Sequence, residues 1–555
     1  MQVTAKQTLQ KPSRLAAVRR LYVYIVALVS LVAGLASVND LLDVLSRQWL
    51  AGNGDLLLHA AFVRTAVARS SGIMLVATPL FLIHWWLAQR RRHESDERDS
   101  VLRKLFLYGA TGVSLGFFLT TTYFLIRDMA ALAFGVLPDN VDLLPSNWLH
   151  WTLMAAIGAA LAAHWRLVLE HDGDLGREER GGRIVRQLFA TIVGLVALAI
   201  ALWGARTLVE VGVQVSIDRA LGATYVDWWR FPLGRGVSQL LVGLWLARTN
   251  WLQWGEVVTM RPDEGRSVLR RVYLYVGVVI GAVATLSPAA LLLREGLLIL
   301  FGAGGGALNE LLNRMVDPLS FLPAGAAIWY WHATTVQREA AAYGESEQSH
   351  TARRVYAYLV AATGLALLWI GTAELLNALI DALLVGSLWD EPLATGLSLL
   401  AVGAPIWTHF WRQVQSAAGQ KNAVGVVERN SWPRKLYLYG VALAGALVIL
   451  FTLAQVIYRL LLMALGDPDI DFFSPQTAHL IAASLVAALF WTVHLLAIRS
   501  DGRREQLGEA TPQAGTAGDI SQRRADLQAR IAALEEELAV LRANLVALQE
   551  TSDEP

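Results

Sequence analysis

Histidines recur beside aromatic residues near one end of several apolar segments of this chain. They are His84, His164, His332, His409 and His494. A row of imidazoles has the chemistry to titrate, to relay protons or to ligate a haem or a chlorophyll-like macrocycle. An arginine follows each histidine within two to six residues, which is typical of an aromatic belt at a membrane interface. We therefore expect anchoring histidines. Since no two share metal-ligand spacing on one helix, we predict no metal and no cofactor.

Acidic and basic residues recur near the opposite end of the same segments. The set consists of Asp40, Asp128, Glu210, Glu295, Glu374, Arg64, Arg235 and Arg314. Pairs such as Glu295 with Arg314 have the chemistry either to line an outer vestibule or to clamp neighbouring helices, and we expect clamping. We predict no catalytic residue, because no Ser-His-Asp set, zinc motif or nucleotide-binding fingerprint occurs.

A motif of two basic residues, one apolar residue and one aromatic residue opens six apolar segments. Its copies start at Arg19, Arg103, Arg186, Arg270, Arg353 and Arg434, separated by 84, 83, 84, 83 and 81 residues. Only the third copy departs, with Gln187 at the second position. The period predicts six repeats at 19–102, 103–185, 186–269, 270–352, 353–433 and 434–499. The acidic residues lie at different offsets in odd and even repeats, which indicates a larger unit of two repeats in a pseudo-threefold arrangement.

Each repeat contains two apolar stretches long enough to cross a hydrocarbon core. Hydrophobic residues make up 55% of the chain and charged residues 17%. Because lipid cannot satisfy exposed backbone groups, such stretches have to be helical. We predict an all-α transmembrane fold of twelve spans, near 21–45, 67–89, 105–127, 148–169, 187–213, 233–254, 272–300, 318–337, 355–383, 392–412, 436–463 and 477–498.

The distribution of basic residues predicts the orientation. The links between repeats hold 23 Lys and Arg, and the links within repeats hold 11. Because basic residues are retained on the cytoplasmic side, both termini, including the segment 1–18, are predicted to be cytoplasmic, in a bacterial inner membrane. Two spans per repeat make all six repeats parallel, which differs from the inverted repeats common in transporters. A net charge of +1 gives no indication of nucleic-acid binding.

A linker at 500–518 leads to a heptad pattern at 519–550. Its core residues include Leu527, Ile531, Leu534, Leu538, Leu541, Leu545 and Leu548. Such a seam needs a partner helix, and the flanking charges favour a parallel homo-oligomer. Leucine at both core positions leaves dimer and trimer open, and the alternative is a helix docked on the inner loops of its own chain.

The opening Arg19-Arg20-Leu21-Tyr22-Val23-Tyr24, repeated along the chain, and the helix ends at 79–85 and 405–409 resemble a bacterial membrane-protein family known only as a domain of unknown function. The resemblance implies the architecture and no activity. We expect a non-enzymatic oligomeric scaffold or channel-like assembly, with membrane lipid and a second copy of the chain as partners. The alternatives are an ion channel or transporter with a path between repeats, and a cofactor- or lipid-binding subunit of a larger membrane complex.

Overall fold

Long α-helices make up most of the chain in the computed structural model. The structure describes residues 14–50, 60–136, 145–173, 180–222, 227–302, 308–344, 347–384, 386, 390–466 and 471–506, with Gln528, Ile531, Glu535 and Leu538. The twelve long helices of these residues are α1 (Arg14–Leu50), α2 (Ala60–Gln89), α4 (Val101–Ala133), α5 (Pro145–His171), α6 (Arg180–Ala220), α7 (Arg230–Met260), α8 (Val268–Leu300), α9 (Leu308–Tyr343), α10 (Glu347–Leu384), α11 (Asp390–Gly419), α13 (Trp432–Ala464) and α14 (Pro475–Gln506). Shorter pieces are α3 (Ser95–Arg98), a 3₁₀ turn (Pro262–Arg266) and α12 (Ala423–Asn430). No strand occurs in the described residues.

Every predicted span coincides with one of the long helices. Ten of these helices are long and apolar enough to cross a membrane. The other two, α7 and α9, are not among these ten, because polar residues such as Gln239 and Asn250 of α7 and His332 and Thr334 of α9 interrupt their apolar stretches. Ten helices are therefore compatible with a multi-pass membrane protein, and spanning by α7 and α9 stays a prediction.

Several helix ends follow standard capping chemistry. The Ser267 side chain accepts a hydrogen bond from the Arg270 backbone N–H at the start of α8, and the Asn422 side chain caps α12. After α4 and α8, Gly135 and Gly302 adopt φ of 85° and 74°. Only glycine adopts this left-handed backbone without a steric penalty, so both helices end where the sequence supplies it.

The chain divides into two compact bodies, 1–356 with 390–402, and 357–389 with 403–555. In the first body, α1/α2, α4/α5, α6/α7 and α8/α9 form helical hairpins. The first helix of each hairpin packs on both helices of the next: α1 on α4 and α5, α4 on α6 and α7, and α6 on α8 and α9. Rings at the starts of α1, α4 and α6 meet in sequence, so these first helices run parallel, as the repeat pattern predicts.

The second body has its own apolar core. Tyr358, Leu365, Tyr437, Val486 and Phe490 are buried in it, with tryptophans packed around them. The hairpin α13/α14 supplies most of these residues.

Helices of one hairpin approach closely where a glycine faces the partner backbone. A Cβ atom on Gly204 of α6 would lie 2.4 Å from the Leu240 backbone nitrogen of α7. Only a residue without a side chain permits that distance, and small residues serve the same purpose between membrane helices generally.

The predicted coiled coil falls largely outside the described residues. Leu527, Leu534, Leu541, Leu545 and Leu548 lie there, whereas Ile531 and Leu538 are helical with 54% and 48% of their surface exposed. The coiled coil thus stays a prediction, and these two exposed apolar side chains are available to a partner.

Candidate functional site: polar networks at the two helix ends

The end of the hairpins that carries the repeated motif, here called the motif end, contains a buried ion pair. Arg103 at the start of α4 is fully buried, and its guanidinium donates to both carboxylate oxygens of Asp172 at 2.6 and 3.3 Å. Asp172 immediately follows α5. A two-pronged contact of this kind is the geometry that guanidinium and carboxylate groups favour. The pair therefore ties the two ends of one hairpin together.

A second ion pair lies beside the first and is joined to it by a tyrosine. Arg20 of α1 donates to Glu97 of α3 at 2.7 Å, and the Tyr24 hydroxyl donates to the other oxygen of Glu97 at 2.7 Å. The same hydroxyl accepts from Arg103 at 3.4 Å. Tyr24 thereby links the connection between the hairpins to the core of the motif end, so α1, α3 and α4 hold one another in register.

The same network recurs in the fifth and sixth repeats. Arg434 donates to Asp501 at 2.7 and 3.1 Å and to the Tyr358 hydroxyl at 3.3 Å. Tyr358 donates to Glu428 at 2.7 Å. Arg434 also reaches Gln415 at 2.8 Å, as Arg103 reaches Gln89 at 3.4 Å. The same geometry therefore occurs in the first and the third repeat pair.

The third and fourth repeats keep the ion pairs but replace the tyrosine. Arg270 binds Glu339, with a shortest distance of 2.6 Å. Glu264 accepts from Gln187 at 2.7 Å and pairs with Arg186 at 2.8 Å. Thr191 stands in the place of Tyr24, and its hydroxyl donates to the Leu269 backbone carbonyl at 3.4 Å. The Arg270 guanidinium lies 4.4 and 5.1 Å from the ring centres of Trp251 and Trp254, which is a cation–π geometry.

Sequence reasoning missed the acidic half of these networks. The missed residues are Glu97, Asp172, Glu264, Glu339, Glu428 and Asp501. Their spacing carries a usable signal. The acids that bind the first basic residue of even repeats follow it by 69, 69 and 67 residues.

The predicted row of histidines separates into buried and exposed members. His84, His332 and His494 are buried, and each ring Nδ1 faces the backbone carbonyl four residues earlier at 2.7–2.8 Å. His164 and His409 are exposed, so the histidines of the predicted row do not share one environment. The physical reason is a shift of one residue around the helix. Trp165, the neighbour of His164, is buried at the position equivalent to His332 and His494.

The hydrogen bonds of His494 define its tautomer. Because Nδ1 faces the Phe490 carbonyl, it carries the proton, and Nε2 accepts from the Tyr437 hydroxyl at 3.2 Å. Tyr437 in turn accepts from the Trp407 indole N–H at 3.2 Å. Both imidazole nitrogens are thus engaged within the protein. This buried series of hydrogen bonds connects α11, α13 and α14.

The end where the two helices of each hairpin are joined, here called the turn end, holds the predicted acidic and basic residues. Asp40 lies 3.6 Å from Arg69, Asp128 is buried 2.7 Å from Arg127, and Glu210 lies 3.1 Å from Arg206. Glu374 is half-buried, and Arg64 and Arg235 are exposed. The structure gives Glu295 and Arg314 different partners, Arg294 and Glu310. The expected Glu295–Arg314 pair is therefore wrong, because each has an opposite charge nearer along its own helix.

Polar contacts between hairpins also recur at the turn end. His150 of α5 lies 3.1 Å from the Asn39 side chain of α1, and Asp317 of α9 pairs with Arg206 of α6. In the second body, His479 of α14 lies 2.8 Å from Asp381 of α10. His150, Asp317 and His479 occupy equivalent positions 45–47 residues after the motif start. These contacts clamp the first helix of an odd repeat to the second helix of the next repeat.

Paired apolar helices with repeated polar clamps at both ends define an all-helical protein of multi-pass membrane character, built from three repeat pairs. The chain belongs to the family described as a domain of unknown function (DUF5671), whose model matches residues 20–165, 187–327 and 354–493. Each match covers four long helices and begins at the second motif position, so the family unit is a pair of the predicted repeats. Searches of the curated proteins and of the solved structures gave no significant match. Among the described residues, no group of three or more His, Asp or Glu side chains is placed to hold a metal ion.

Proposed function

We propose that this protein is a non-enzymatic, self-associating scaffold of the bacterial inner membrane, with both termini in the cytoplasm. The observation that carries the proposal is the threefold recurrence of buried, paired charges at the motif end. Removing one partner from a buried pair costs about 3–5 kcal/mol, whereas the intact pair adds little net stability, so such pairs are best suited to specifying geometry. Each of the three repeat pairs thus has its helix positions fixed by buried ion pairs. Such a rigid frame is suited to a protein on which other subunits assemble.

The buried polar groups that an ion-conduction path would use are paired within the protein, which supports a scaffold over a channel. Asp128 and Glu295, the most buried turn-end acids of the predicted set, each lie against an adjacent arginine. His494, the most buried histidine, has both ring nitrogens engaged. Ions or protons moving through the helices would need these groups to exchange partners, which the paired geometry opposes.

The experiment is to measure the mass of the purified, detergent-solubilised full chain and of a Leu534→Asn/Leu541→Asn variant. We expect the full chain to be a multiple of 60.7 kDa and the variant to have a lower mass, because polar residues at heptad core positions destabilise the seam. Equal masses of the two proteins would show that the predicted coiled coil does not hold the copies together. A flux of K⁺ or H⁺ into liposomes that Glu295→Gln abolishes would favour the channel reading.

A second candidate function is binding of a lipid chain in the first body. A cavity of about 380 Å³ lies between α4 and α6, lined by apolar residues that include Leu105, Gly112, Leu119, Ile192 and Val196. Along α4 the lining extends from Leu105 to Leu119, about 21 Å at the helical rise, a length that suits an acyl chain. Filling the cavity with Gly112→Leu should reduce the phospholipid that co-purifies with the protein, and unchanged lipid content would contradict this function.

A further inference from the structure

Two aromatic positions of the motif pack successive repeats together. The sixth-position ring of one repeat lies against the fourth-position ring of the next, in the pairs Tyr24–Phe106, Tyr108–Phe189, Tyr275–Tyr356 and Tyr358–Tyr437, with ring centres 5.2–5.4 Å apart. The remaining junction has Thr191 at the sixth position, so it lacks a ring there. The rule therefore holds wherever the sequence supplies both rings.

The first and last repeats each keep one half of this pair exposed. Tyr22 occupies the fourth motif position of the first repeat, and Tyr439 occupies the sixth motif position of the last repeat. Each tyrosine is 59% exposed. The internal equivalents of Tyr439, which are Tyr108 and Tyr275, are only 5% and 6% exposed because the following repeat covers them. Tyr22 packs on His84 of its own hairpin, just as Tyr273 and Tyr437 pack on their own histidines.

A basic residue beside Tyr439 differs in the same way. The second motif position of even repeats is occupied by Lys104, Arg271 and Lys435; the first two are fully buried and Lys435 is exposed. Lys435 and Tyr439 line a cavity of about 260 Å³ together with Asp501. In the first repeat pair, the equivalent surface is covered by the start of α6, where Val185 is buried and Phe189 packs on Tyr108. The last repeat thus presents the surface that internal repeats bury.

Rows of exposed apolar side chains extend from both tyrosines. They are Leu436, Leu443, Leu447 and Leu450 on α13, and Val18, Leu21, Ile25 and Val29 on α1. Their sequence positions match those of α4 and α6 residues that line the cavity between the first two repeat pairs, where Leu188 and Ile192 are 42% and 52% exposed and Val185 is buried.

We infer that the α13 face of one chain, centred on Tyr439, binds the α1 face of a second copy, centred on Tyr22, in the way that successive repeats bind each other. The inference rests on the proposed self-association and names its interface within the membrane. Such a head-to-tail contact uses two different surfaces, so it propagates from chain to chain until the assembly closes. The tail would raise the local concentration of the partner, while this interface sets its register.

The test is cysteine cross-linking in native membranes, and the absence of cysteine from the sequence removes background reaction. Two full-length chains with different affinity tags, one with Tyr22→Cys and one with Tyr439→Cys, are co-expressed and treated with a short bis-thiol reagent. We expect a dimer band that carries both tags. As a control, Tyr330→Cys, which replaces an α9 tyrosine that is 72% exposed, should give no such band with Tyr439→Cys. A chain with Tyr108→Cys and Phe189→Cys should cross-link internally and shows that the reagent reaches this type of junction.

The outcomes separate this interface from the proposed function. Absence of the two-tag band, with the internal control positive and the mass oligomeric, would overturn the interface and leave the scaffold standing. Cross-linking only within a single chain that carries both cysteines would also overturn it, because the two faces would then close on each other. A monomeric mass would contradict both.

Discussion

Single arginines make several of the hydrogen bonds that hold the helices together at the motif end. Arg103 donates four hydrogen bonds, two to Asp172 and one each to Tyr24 and Gln89, which the five N–H groups of a guanidinium permit and the three of an ammonium group do not. The first motif position of every even repeat is arginine, whereas the second position, which makes fewer contacts, is lysine in two of three. The choice of side chain follows from the number of partners.

Arg103→Met should strongly destabilise the protein, because it leaves the Asp172 carboxylate buried beside Lys104 without its main partner. We expect a loss of about 3–5 kcal/mol, measured as a lower unfolding temperature in detergent. Arg166→Met, which removes an exposed pair with Glu170, should cost less than about 1 kcal/mol. Equal shifts for the two variants would contradict the role assigned to Arg103.

His494→Phe should destabilise the protein by about 1–3 kcal/mol, because the Tyr437 hydroxyl would remain buried without an acceptor. The exposed His164 provides the comparison, and His164→Phe should leave the unfolding temperature nearly unchanged. An absorbance band in the visible range that disappears with His494→Phe would instead show that the histidine holds a pigment or haem.

The sequence alone reveals which residue types recur but not which of them meet. The motif arginines stand out from their spacing, whereas their partners Asp172, Glu339 and Asp501 lie about two helices further along the chain. Only the fold of the hairpin brings them together. His164 shows the opposite difficulty: it looks equivalent to His332 by its neighbours, yet one residue is 100° around a helix, enough to exchange a buried face for an exposed one.

Helices and hairpins are the elements that the sequence predicts best. Apolar length alone located all twelve long helices, since backbone groups in lipid must be satisfied within the helix. It did not distinguish α7 and α9, whose central stretches contain more polar and aromatic residues than the other long helices. Charged residues of α9 have partners in the structure, such as Glu339 with Arg270 and Asp317 with Arg206.

Glycines of the same helix differ in how closely the partner helix approaches them. Gly204→Ala should destabilise the α6/α7 hairpin by about 1–3 kcal/mol, because the new Cβ would overlap the Leu240 backbone. Gly212 lies on the same helix with open space around it, so Gly212→Ala should be neutral or stabilising by up to about 1 kcal/mol. The unfolding temperatures of the two variants test this, and a larger loss for Gly212→Ala would contradict the packing described.

At the scale of the whole molecule, three copies of one family unit follow each other in a single chain. The repeat spacing predicted six hairpins, and the family match groups them in pairs. What the sequence could not reveal is that, in the part of the chain that the structure describes, Tyr439 of the last repeat exposes a ring that Tyr108 and Tyr275 of internal repeats bury, since that depends on which side of each helix faces its neighbour. Tyr22 and Tyr439 make the point: their types are those of the internal pairs, and only their exposure distinguishes them.

The most direct test of the account is the number of chains in particles extracted from the membrane with their native lipid. Mass photometry of such particles, with the lipid contribution measured separately, gives the protein mass. We predict a protein mass of two or more times 60.7 kDa for the full chain. A protein mass of 60.7 kDa, equal to one chain, would contradict the central claim that this membrane protein is a self-associating scaffold.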